Sequence, residues 1–368
     1  MSASTWEALL APFMPETVQI RLTGGEPTLH PEFFSILETA TAYDARVTVF
    51  TNGRWTDPLQ LVTQLRDWPN LSGLLMSLHG ARPESHEAFS RVPGSFEETL
   101  ANIQLAIDYG ITVALSTIIT HKSWNELEAI VELGQRLGVQ HIAFNRYLGG
   151  PLPGIEPTLE EVRSAVTKIE SLIQSGVPVK YGIGMPQCFM HNSSEGCLAG
   201  VAYASIDPWG NVRPCAHSPT IIGSLHEHSM HDLWHSDKMN AWRALMPQEC
   251  TTCAAYSVCH GGCRAVQELR PDGRDPLRGE PLAEYTSPQE IKEIPARAQP
   301  LCNFHVREED FGYALLGMGQ VVPVAREALA VLEACDGATS FAQLAERFGE
   351  PGLDLLGELW ELGMLDTA

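Results

Sequence analysis

The sequence has little positive charge and no long apolar run. Its 368 residues contain 24 Lys and Arg against 45 Asp and Glu, which gives a formal net charge of −21 at pH 7. An acidic surface repels phosphate backbones and anionic membranes, and no basic stripe with interleaved aromatic residues is present, so nucleic acid is not an expected partner. No apolar run reaches the roughly 18 residues needed to cross a bilayer, so we expect no membrane partner.

Cysteine is absent from the first 187 residues, although nine cysteines follow. The N-terminus also lacks a basic region followed by an apolar run, which an export signal would have. Disulfides form in oxidising compartments, whereas cysteines without an export signal indicate the reduced cytosol. We therefore expect a cytoplasmic protein whose thiols serve another purpose.

Seven of the nine cysteines lie in one stretch of the second half. They are Cys197, Cys215, Cys250, Cys253, Cys259, Cys263 and Cys302. The densest part has the spacing Cys-x2-Cys-x5-Cys-x3-Cys, and Gly210 precedes one of the others by five positions. Short spacings on Gly-rich turns let several sulfurs converge on one centre, as metal ions and iron–sulfur clusters require.

Other interpretations of these thiols are weaker. Buried structural cysteines are common singly, but two-residue and three-residue spacings within one group are not typical of them. A zinc site is the serious alternative, because four cysteines can close a tetrahedral site. Zinc accounts for four thiolates, whereas two iron–sulfur clusters would use seven and leave one position open. The sequence therefore favours iron–sulfur clusters over zinc.

The ordered cysteine pattern resembles the SPASM domain of radical S-adenosylmethionine (SAM) enzymes that modify peptides and proteins. The resemblance implies two auxiliary 4Fe–4S clusters. One cluster would be held by Cys250, Cys253, Cys259 and Cys302, and the other by Cys197, Cys215 and Cys263. Some relatives place a further ligand to the second cluster a few residues after the first cysteine, but Leu198 to Tyr203 contains none. That cluster would then keep an open iron or use Cys188.

The first half alternates β-rich runs with amphipathic helical ones. The predicted strands are Thr17–Thr23, Arg46–Thr51, Gly73–Leu78, Ile111–Ile118, Val139–Asn145 and, more weakly, Val179–Ile183. The predicted helices are Glu32–Thr41, Pro58–Arg66, Ser95–Tyr109, Ser123–Leu137 and Leu159–Gln174. This alternation predicts an α/β fold with a parallel sheet, which closes into a barrel, forms a partial one or stays open. In each case the active site is expected at the carboxyl ends of the strands.

Small and polar residues occupy the predicted strand ends. They are Gly24, Gly25 and Glu26 after the first strand, Asn52 after the second, and Ser77 and Ser116 on the third and fourth. In this order they resemble the radical SAM core, and the resemblance extends from residue 17 to about residue 302. It implies that the first three bind the amino group of SAM and that the others lie near its carboxylate or ribose. A carboxylate suits an ammonium group and a Ser hydroxyl suits a ribose diol.

The Cys-x3-Cys-x2-Cys loop of radical SAM enzymes, which holds a 4Fe–4S cluster with one iron free for SAM, is not found before Gly24. Residues Ser4–Phe13 are predicted to form the helix that normally follows that loop. The expected fold is therefore a partial TIM-like (β/α) barrel lacking its first strand, with Thr17–Thr23 at the sheet edge. We interpret the chain as a fragment or a late start codon, and alternatively as a protein that has lost radical chemistry. In both cases these 368 residues alone are not expected to cleave SAM.

The last segment, Phe304–Ala368, is predicted to be a separate small unit. Apolar residues with helical spacing and one predicted hairpin make it a winged helix. The helices are expected at Ala328–Cys335, Ser340–Phe348 and Leu353–Leu362, and the hairpin at Tyr313–Val322. The Cys335-Asp336-Gly337 turn and the closing Leu-Gly-Met-Leu resemble the small winged helix that accompanies many peptide-modifying enzymes. That family binds precursor peptides by strand addition, and the alternative is a plain helical docking module.

We thus expect a radical SAM core at 1–180, a SPASM auxiliary-cluster domain at 181–303 and a winged helix at 304–368. The resemblance implies an enzyme that modifies a ribosomally made peptide or protein through a 5′-deoxyadenosyl radical, with SAM and 4Fe–4S clusters as cofactors. The expected partners are the precursor peptide or protein and an electron donor such as a flavodoxin or ferredoxin. The alternative is a non-catalytic iron–sulfur protein that holds a peptide for a partner enzyme.

Overall fold

The computed structural model describes residues 1–43, 45–149, 152–182, 184–190, 196–270, 272–284, 295–317 and 320–367. The first half contains one six-stranded sheet with helices between its strands. The strands are β1 (Gln19–Leu22), β2 (Arg46–Thr51), β3 (Leu71–Ser77), β4 (Val113–Ile118), β5 (Ile142–Asn145) and β6 (Val179–Tyr181). The helices are α1 (Ala3–Leu10), α2 (Phe33–Thr41), α3 (Pro58–Leu65), α4 (Pro83–Ser90), α5 (Ser95–Asp108), α6 (Leu127–Leu137) and α7 (Leu159–Gln174).

All neighbouring strands of this sheet are parallel and follow chain order from β1 to β6. This order with its surrounding helices is a partial TIM-like barrel, which confirms the predicted fold class. β1 pairs with β2 alone and forms one edge of the sheet, as predicted. The end of the sixth predicted strand, Ile183, lies outside the described residues.

The helix α4 was not predicted, because its sequence lacks an apolar stripe. It begins with Pro83 in its first turn and ends at Arg91, whose φ of 59° is left-handed. Its buried residues are Ser85 and His86, which are polar. A carboxylate, that of Glu126, accepts a 2.6 Å hydrogen bond from the Ser85 hydroxyl. Polar burial of this kind stabilises a helix without leaving a hydrophobic period in the sequence.

The core of the first half lies between the helices and one face of the sheet. On β2 and β3, Val47, Val49 and Met76 are fully buried. On the opposite face, Phe50 and Ser77 remain half-buried. This alternation along parallel strands leaves the second face of the sheet available to polar side chains and to whatever binds there.

The cysteine-rich segment has little regular structure. Its short strands β7 (Ser205–Ile206), β8 (Asn211–Arg213) and β9 (Gly223–Ser224) form an antiparallel sheet. Its short helices are α8 (Met230–Trp234), α9 (Asp237–Arg243), α10 (Tyr256–Cys259) and α11 (Arg264–Leu269). Apart from a short 3-10 helix at Gln248–Thr252, the rest of its described chain consists of loops and turns.

The C-terminal unit combines two small antiparallel sheets with helices. Its strands are β10 (Pro300–Cys302), β11 (His305–Glu309), β12 (Gly312–Gly317), β13 (Gln320–Val324) and β14 (Leu365–Thr367), and its helices are α12 (Leu329–Glu333) and α13 (Phe341–Glu361). β11, β12 and β13 pair in that order, and β10 pairs with β14. The predicted hairpin is confirmed as β12 and β13, with residues 318 and 319 outside the described chain. α13 is interrupted at Gly349, which matches the two predicted helices there.

Two features of this unit differ from the sequence prediction. The strand β11 is additional, because its sequence His-Val-Arg-Glu-Glu is too polar to predict a strand. The pairing of β10 with β14 also ties residues before 304 to the last unit. The hydrogen bond from the Phe341 N–H to the Ala298 carbonyl (3.0 Å) extends that tie further.

The turn between β11 and β12 docks on the cysteine-rich segment. The Trp234 indole donates a 2.6 Å hydrogen bond to Glu309, which is 2% exposed. Asp310 lies 3.1 Å from His235 and 3.3 Å from Arg243. The two units are therefore joined by charged and polar contacts. None of the helices in the described ranges is long and apolar enough to cross a membrane.

Candidate functional site

The glycine pair after β1 forms an open stretch of backbone. A Cβ atom added to Gly24 or Gly25 would meet no other atom within 4 Å. Gly24 has φ +152°, a conformation that side chains rarely adopt. The space beside these two glycines is therefore open, and a ligand can approach their exposed backbone closely.

The Glu26 carboxylate anchors this turn to the end of β2. One oxygen accepts from the Thr28 N–H (3.2 Å), the Thr28 hydroxyl (2.6 Å) and the Thr51 hydroxyl (2.8 Å). The other accepts from the Asn52 N–H (2.7 Å). A carboxylate has about four acceptor positions, so the second oxygen keeps capacity for one more donor. Glu26 thus positions the glycine pair as well as offering one site for an ammonium group.

The remaining predicted strand-end residues lie along the same edge. Ser77 and Ser116 are register partners on β3 and β4. The Asn52 side chain accepts from the Arg54 N–H (2.8 Å) and closes the turn after β2. Sequence reasoning missed Asn145 at the end of β5, whose amide donates to the Ser116 hydroxyl at 3.0 Å. Its position as a polar residue ending a strand was the available signal.

A buried ion pair joins this edge to the cysteine-rich segment. Arg146, directly after β5, donates from both terminal nitrogens to Asp275 at 2.7 and 2.8 Å. The side chains are 5% and 0% exposed. Bidentate Arg–carboxylate pairs fix both position and orientation. Sequence reasoning also missed this pair, since nothing in the local sequence relates two residues that are 129 positions apart.

Three of the predicted cysteine ligands lie together, and we call them the first thiol group. They are Cys197, Cys215 and Cys263, which share one small packed cluster with Trp242. Burial and, to a smaller extent, the nearby Cys197 thiol raise the pKa of the Cys263 thiol to about 11, and Arg146 acts against the rise. Thiols in such surroundings are deprotonated by binding a metal centre rather than by solvent.

A buried guanidinium accompanies the first thiol group. Burial raises the pKa of the Cys197 thiol, and Arg264, which is 2% exposed, acts against that rise. Its Nε donates to the Arg243 carbonyl at 3.0 Å, but its Nη1 has no hydrogen-bond partner among the residues that the structure describes. A buried unpaired donor is costly unless a negative group meets it. The donor set therefore fits an anionic iron–sulfur thiolate centre at these cysteines.

A second thiol group contains Cys188, Cys250, Cys253 and Cys259. Burial raises the pKa of the Cys250 thiol, and the thiols of Cys259, Cys188 and Cys253 contribute to that rise. The sulfur atoms of Cys188, Cys253 and Cys259 each accept a hydrogen bond from a backbone N–H group, at 3.2 to 3.4 Å. In the described parts of the chain, no three His, Cys, Asp or Glu side chains gather closely around a point that one metal ion could occupy.

The seventh predicted ligand, Cys302, lies elsewhere. It is on β10 and packs against the core of the C-terminal unit. Its thiol contacts Cys335 and the Leu332 carbonyl, the latter at 3.6 Å. The structure therefore brings together six of the seven predicted cysteines in two groups and places Cys188 with one of them.

Comparisons with known proteins agree with this geometry. The family model described as the radical SAM superfamily matches residues 7–134. The model described as the SPASM iron–sulfur cluster-binding domain matches residues 197–263. These domains imply SAM and iron–sulfur clusters as cofactors.

Curated relatives cover most of the chain at low identity. An AdoMet-dependent heme synthase from Methanosarcina barkeri is 27% identical over 66% of this chain and 76% of its own length. A PqqA peptide cyclase from Rhizobium meliloti is 24% identical over 72% of this chain and 74% of its own. The mycofactocin maturase MftC from Mycolicibacterium smegmatis is 28% identical over 70% and 69%.

Solved structures share the fold. Streptococcus suis SuiB bound to the precursor peptide SuiA has a TM-score of 0.61 at 16% identity and covers 75% of this chain and 69% of its own. The enzyme anSMEcpe with bound AdoMet has a TM-score of 0.59 at 17% identity and covers 77% and 84%. At this identity the likeness supports the fold.

Proposed function

Because this chain carries a radical SAM domain followed by a SPASM iron–sulfur cluster-binding domain, we propose that it serves the modification of a ribosomally made peptide. In this proposal the strand ends bind SAM, the cysteine-rich segment holds two auxiliary 4Fe–4S clusters and the C-terminal unit binds the precursor. The observation that carries the proposal is the gathering of the cysteines into two neighbouring thiol groups, in a segment that the Arg146–Asp275 pair joins to the end of β5. In this proposal the radical SAM core comprises residues 1–180. The auxiliary-cluster domain runs from residue 181 to just before β10, and the C-terminal unit comprises the rest.

The proposed SAM site uses residues from four neighbouring strands. The open backbone of Gly24 and Gly25 would receive the amino group, with Glu26 supplying a remaining acceptor. Asn52, Ser77 and Ser116 would face the carboxylate or ribose. The Asn145 amide orients Ser116 by donating to its hydroxyl, so it leaves that hydroxyl proton free for another acceptor. These residues do not include a Cys-x3-Cys-x2-Cys loop, so none of them is proposed to hold the radical-generating cluster.

The proposed cluster sites differ in their surroundings. Cys197, Cys215 and Cys263 would hold one cluster, with the Arg264 guanidinium offsetting its negative charge. Cys250, Cys253 and Cys259 would supply three ligands of the other. When bound, such clusters supply one-electron transfer or an iron site for a substrate, tuned by charge, hydrogen bonds and exposure. An electron donor such as a flavodoxin or ferredoxin belongs to the same proposal.

The C-terminal unit supports a peptide substrate. In its three-stranded sheet, β11 and β13 are edges. An edge strand has unpaired backbone groups that an extended peptide can complete. A peptide substrate is also favoured by two relatives, the PqqA peptide cyclase and the mycofactocin maturase, and by the likeness to SuiB bound to its precursor peptide. The non-catalytic alternative, a peptide-holding partner protein, shares this surface.

Selection of peptides tests the proposal. A displayed library of random peptides, each carrying a photo-reactive group, would be selected for binding to the anaerobically reconstituted chain. The enriched peptides would then be cross-linked to the chain by light. We expect enriched peptides to cross-link within residues 305–317 and 320–324. Enrichment that maps only to other parts of the chain, or no enrichment at all, would contradict the peptide-binding role.

A tetrapyrrole substrate is the second candidate, favoured by the likeness to AdoMet-dependent heme synthase. Titration with haem, followed by its Soret band, separates the two. The peptide proposal predicts no saturable shift of that band. A stoichiometric shift together with failed peptide selection would establish the tetrapyrrole alternative.

A further inference from the structure

One described segment, residues 184–190, runs past both thiol groups. At its start, a Cβ atom on Gly184 would lie 2.9 Å from the Cβ atom of Cys197 in the first group. Three residues later, the Gln187 N–H donates to the Cys259 sulfur at 3.4 Å in the second group. Cys188 follows at once. The chain direction therefore leads from the first thiol group to the second and delivers Cys188 to the second.

A separate stretch, residues 279–282, ties Cys188 to another member of the second group. The Gly279 N–H donates to the Cys188 sulfur at 3.2 Å, and the Leu282 N–H donates to the Cys253 sulfur at 3.3 Å. Two sulfurs thus receive backbone donors from positions three residues apart. Backbone N–H groups favour the thiolate over the thiol and are among the contacts that tune iron–sulfur ligands.

Cys302 has a different environment. Leu301 forms an antiparallel bridge with Asp336, so Cys302 lies directly opposite Cys335. The two sulfurs contact consecutive carbonyls at the end of one helix: Leu332 at 3.6 Å and Val331 at 3.4 Å. Both side chains belong to the packing of the C-terminal core. Binding in the second thiol group would take Cys302 out of these contacts.

We infer that Cys188, and not Cys302, is the fourth thiolate of the site formed by Cys250, Cys253 and Cys259. This inference rests on the proposed function, because it names a ligand of one proposed cluster. It makes that site a closed four-cysteine site and leaves the other with three thiolates from its own group. The cluster with an iron free of cysteine would then be the one beside Arg264 and the Arg146–Asp275 pair.

Cysteine footprinting of the full chain tests the assignment without a substitution. The anaerobic chain would be alkylated before and after loading with iron and sulfide, and each thiol would be quantified by mass spectrometry. We expect loading to slow alkylation of Cys188 at least ten-fold, as for Cys253, and to leave Cys302 and Cys335 unchanged. Protection of Cys302, or an unchanged Cys188, would overturn the assignment.

Matched variants give a second readout. Cys188→Ala and Cys253→Ala each remove one thiolate from the second site, so its iron should be lost or the EPR signal of its reduced cluster should change, whereas Cys302→Ala should keep the wild-type signal and about eight irons. A changed signal or lost iron in Cys302→Ala, with neither in Cys188→Ala, would overturn the inference. A wild-type chain that takes up no iron and sulfide would instead refute the proposed function, so the two failures are distinguishable.

Discussion

The sheet half and the cysteine-rich segment of this chain are stabilised in different ways. The sheet half buries a continuous apolar core, in which Leu37, Leu115 and Phe144 are fully buried. The cysteine-rich segment contributes four residues to that core and otherwise has two small clusters of buried residues in its described ranges, one of which includes cysteines. Apolar burial contributes roughly 25 cal/mol per Å², so small clusters contribute little. The difference indicates that the sheet folds by its own packing, while the cysteine loops depend on what their thiols bind.

Removing the proposed clusters is expected to have the largest effect, and only on one side of this comparison. Because metal binding contributes directly to folding where no apolar core exists, the cluster-free chain loses order in the cysteine-rich segment. Hydrogen exchange should show amides of 196–270 losing at least ten-fold protection, while β2 and β4 stay protected. Cys253→Ala should reproduce part of this loss. Equal protection with and without clusters would break the comparison.

Breaking the Arg146–Asp275 ion pair, which joins the two regions, should have the second largest effect. Asp275→Asn leaves the Arg146 charge buried without its partner, and such a change costs about 3–5 kcal/mol. Urea unfolding of the reconstituted chain measures this loss. The control is Asp67→Asn, in an exposed pair whose side chains are 50% and 81% exposed, with an expected effect of about 0–1 kcal/mol. Similar losses in the two variants would show that the buried pair has no special role.

A cavity in the sheet core should destabilise the sheet half without changing what the cysteines bind. Leu115→Ala removes a fully buried side chain of β4 and should cost about 2–5 kcal/mol. Since the buried cluster that contains Cys215 and Cys263 is separate from that core, iron and sulfide content should remain that of the wild type. Unfolding and metal analysis on the same sample test this. A parallel loss of iron would mean that the cluster sites depend on the sheet more than we propose.

The docked turn of the C-terminal unit should give the smallest effect. Glu309→Gln keeps the shape but weakens the hydrogen bond from Trp234 and the ion pair with Arg307, at a cost of about 1–3 kcal/mol. Exchange protection of β11 and of α8 should fall together. Glu308→Gln, in an exposed pair with Arg326, is the matched control. If β11 loosens while α8 does not, the contact does not couple the units.

The same comparison explains how far the sequence could be interpreted. Strands and helices of the sheet half were predicted because apolar periodicity is local, and α4 was missed because it buries Ser85 and His86. The family resemblance implied two ligand sets, which stay a prediction. The cysteine spacings indicated only that several thiols converge. They could not show that Cys188 and Cys302 have different neighbours, because that depends on which loops return to the same place. For the same reason the Arg146–Asp275 pair had no local signal.

Counting iron, sulfide and zinc on the anaerobically reconstituted chain, together with its Mössbauer spectrum, tests the central claim most directly. We predict about eight irons and eight sulfides per chain, with spectra typical of two 4Fe–4S clusters and no stoichiometric zinc. A colourless, iron-free chain, or one that holds zinc at its thiols without sulfide, would contradict the claim that clusters organise the cysteine-rich segment.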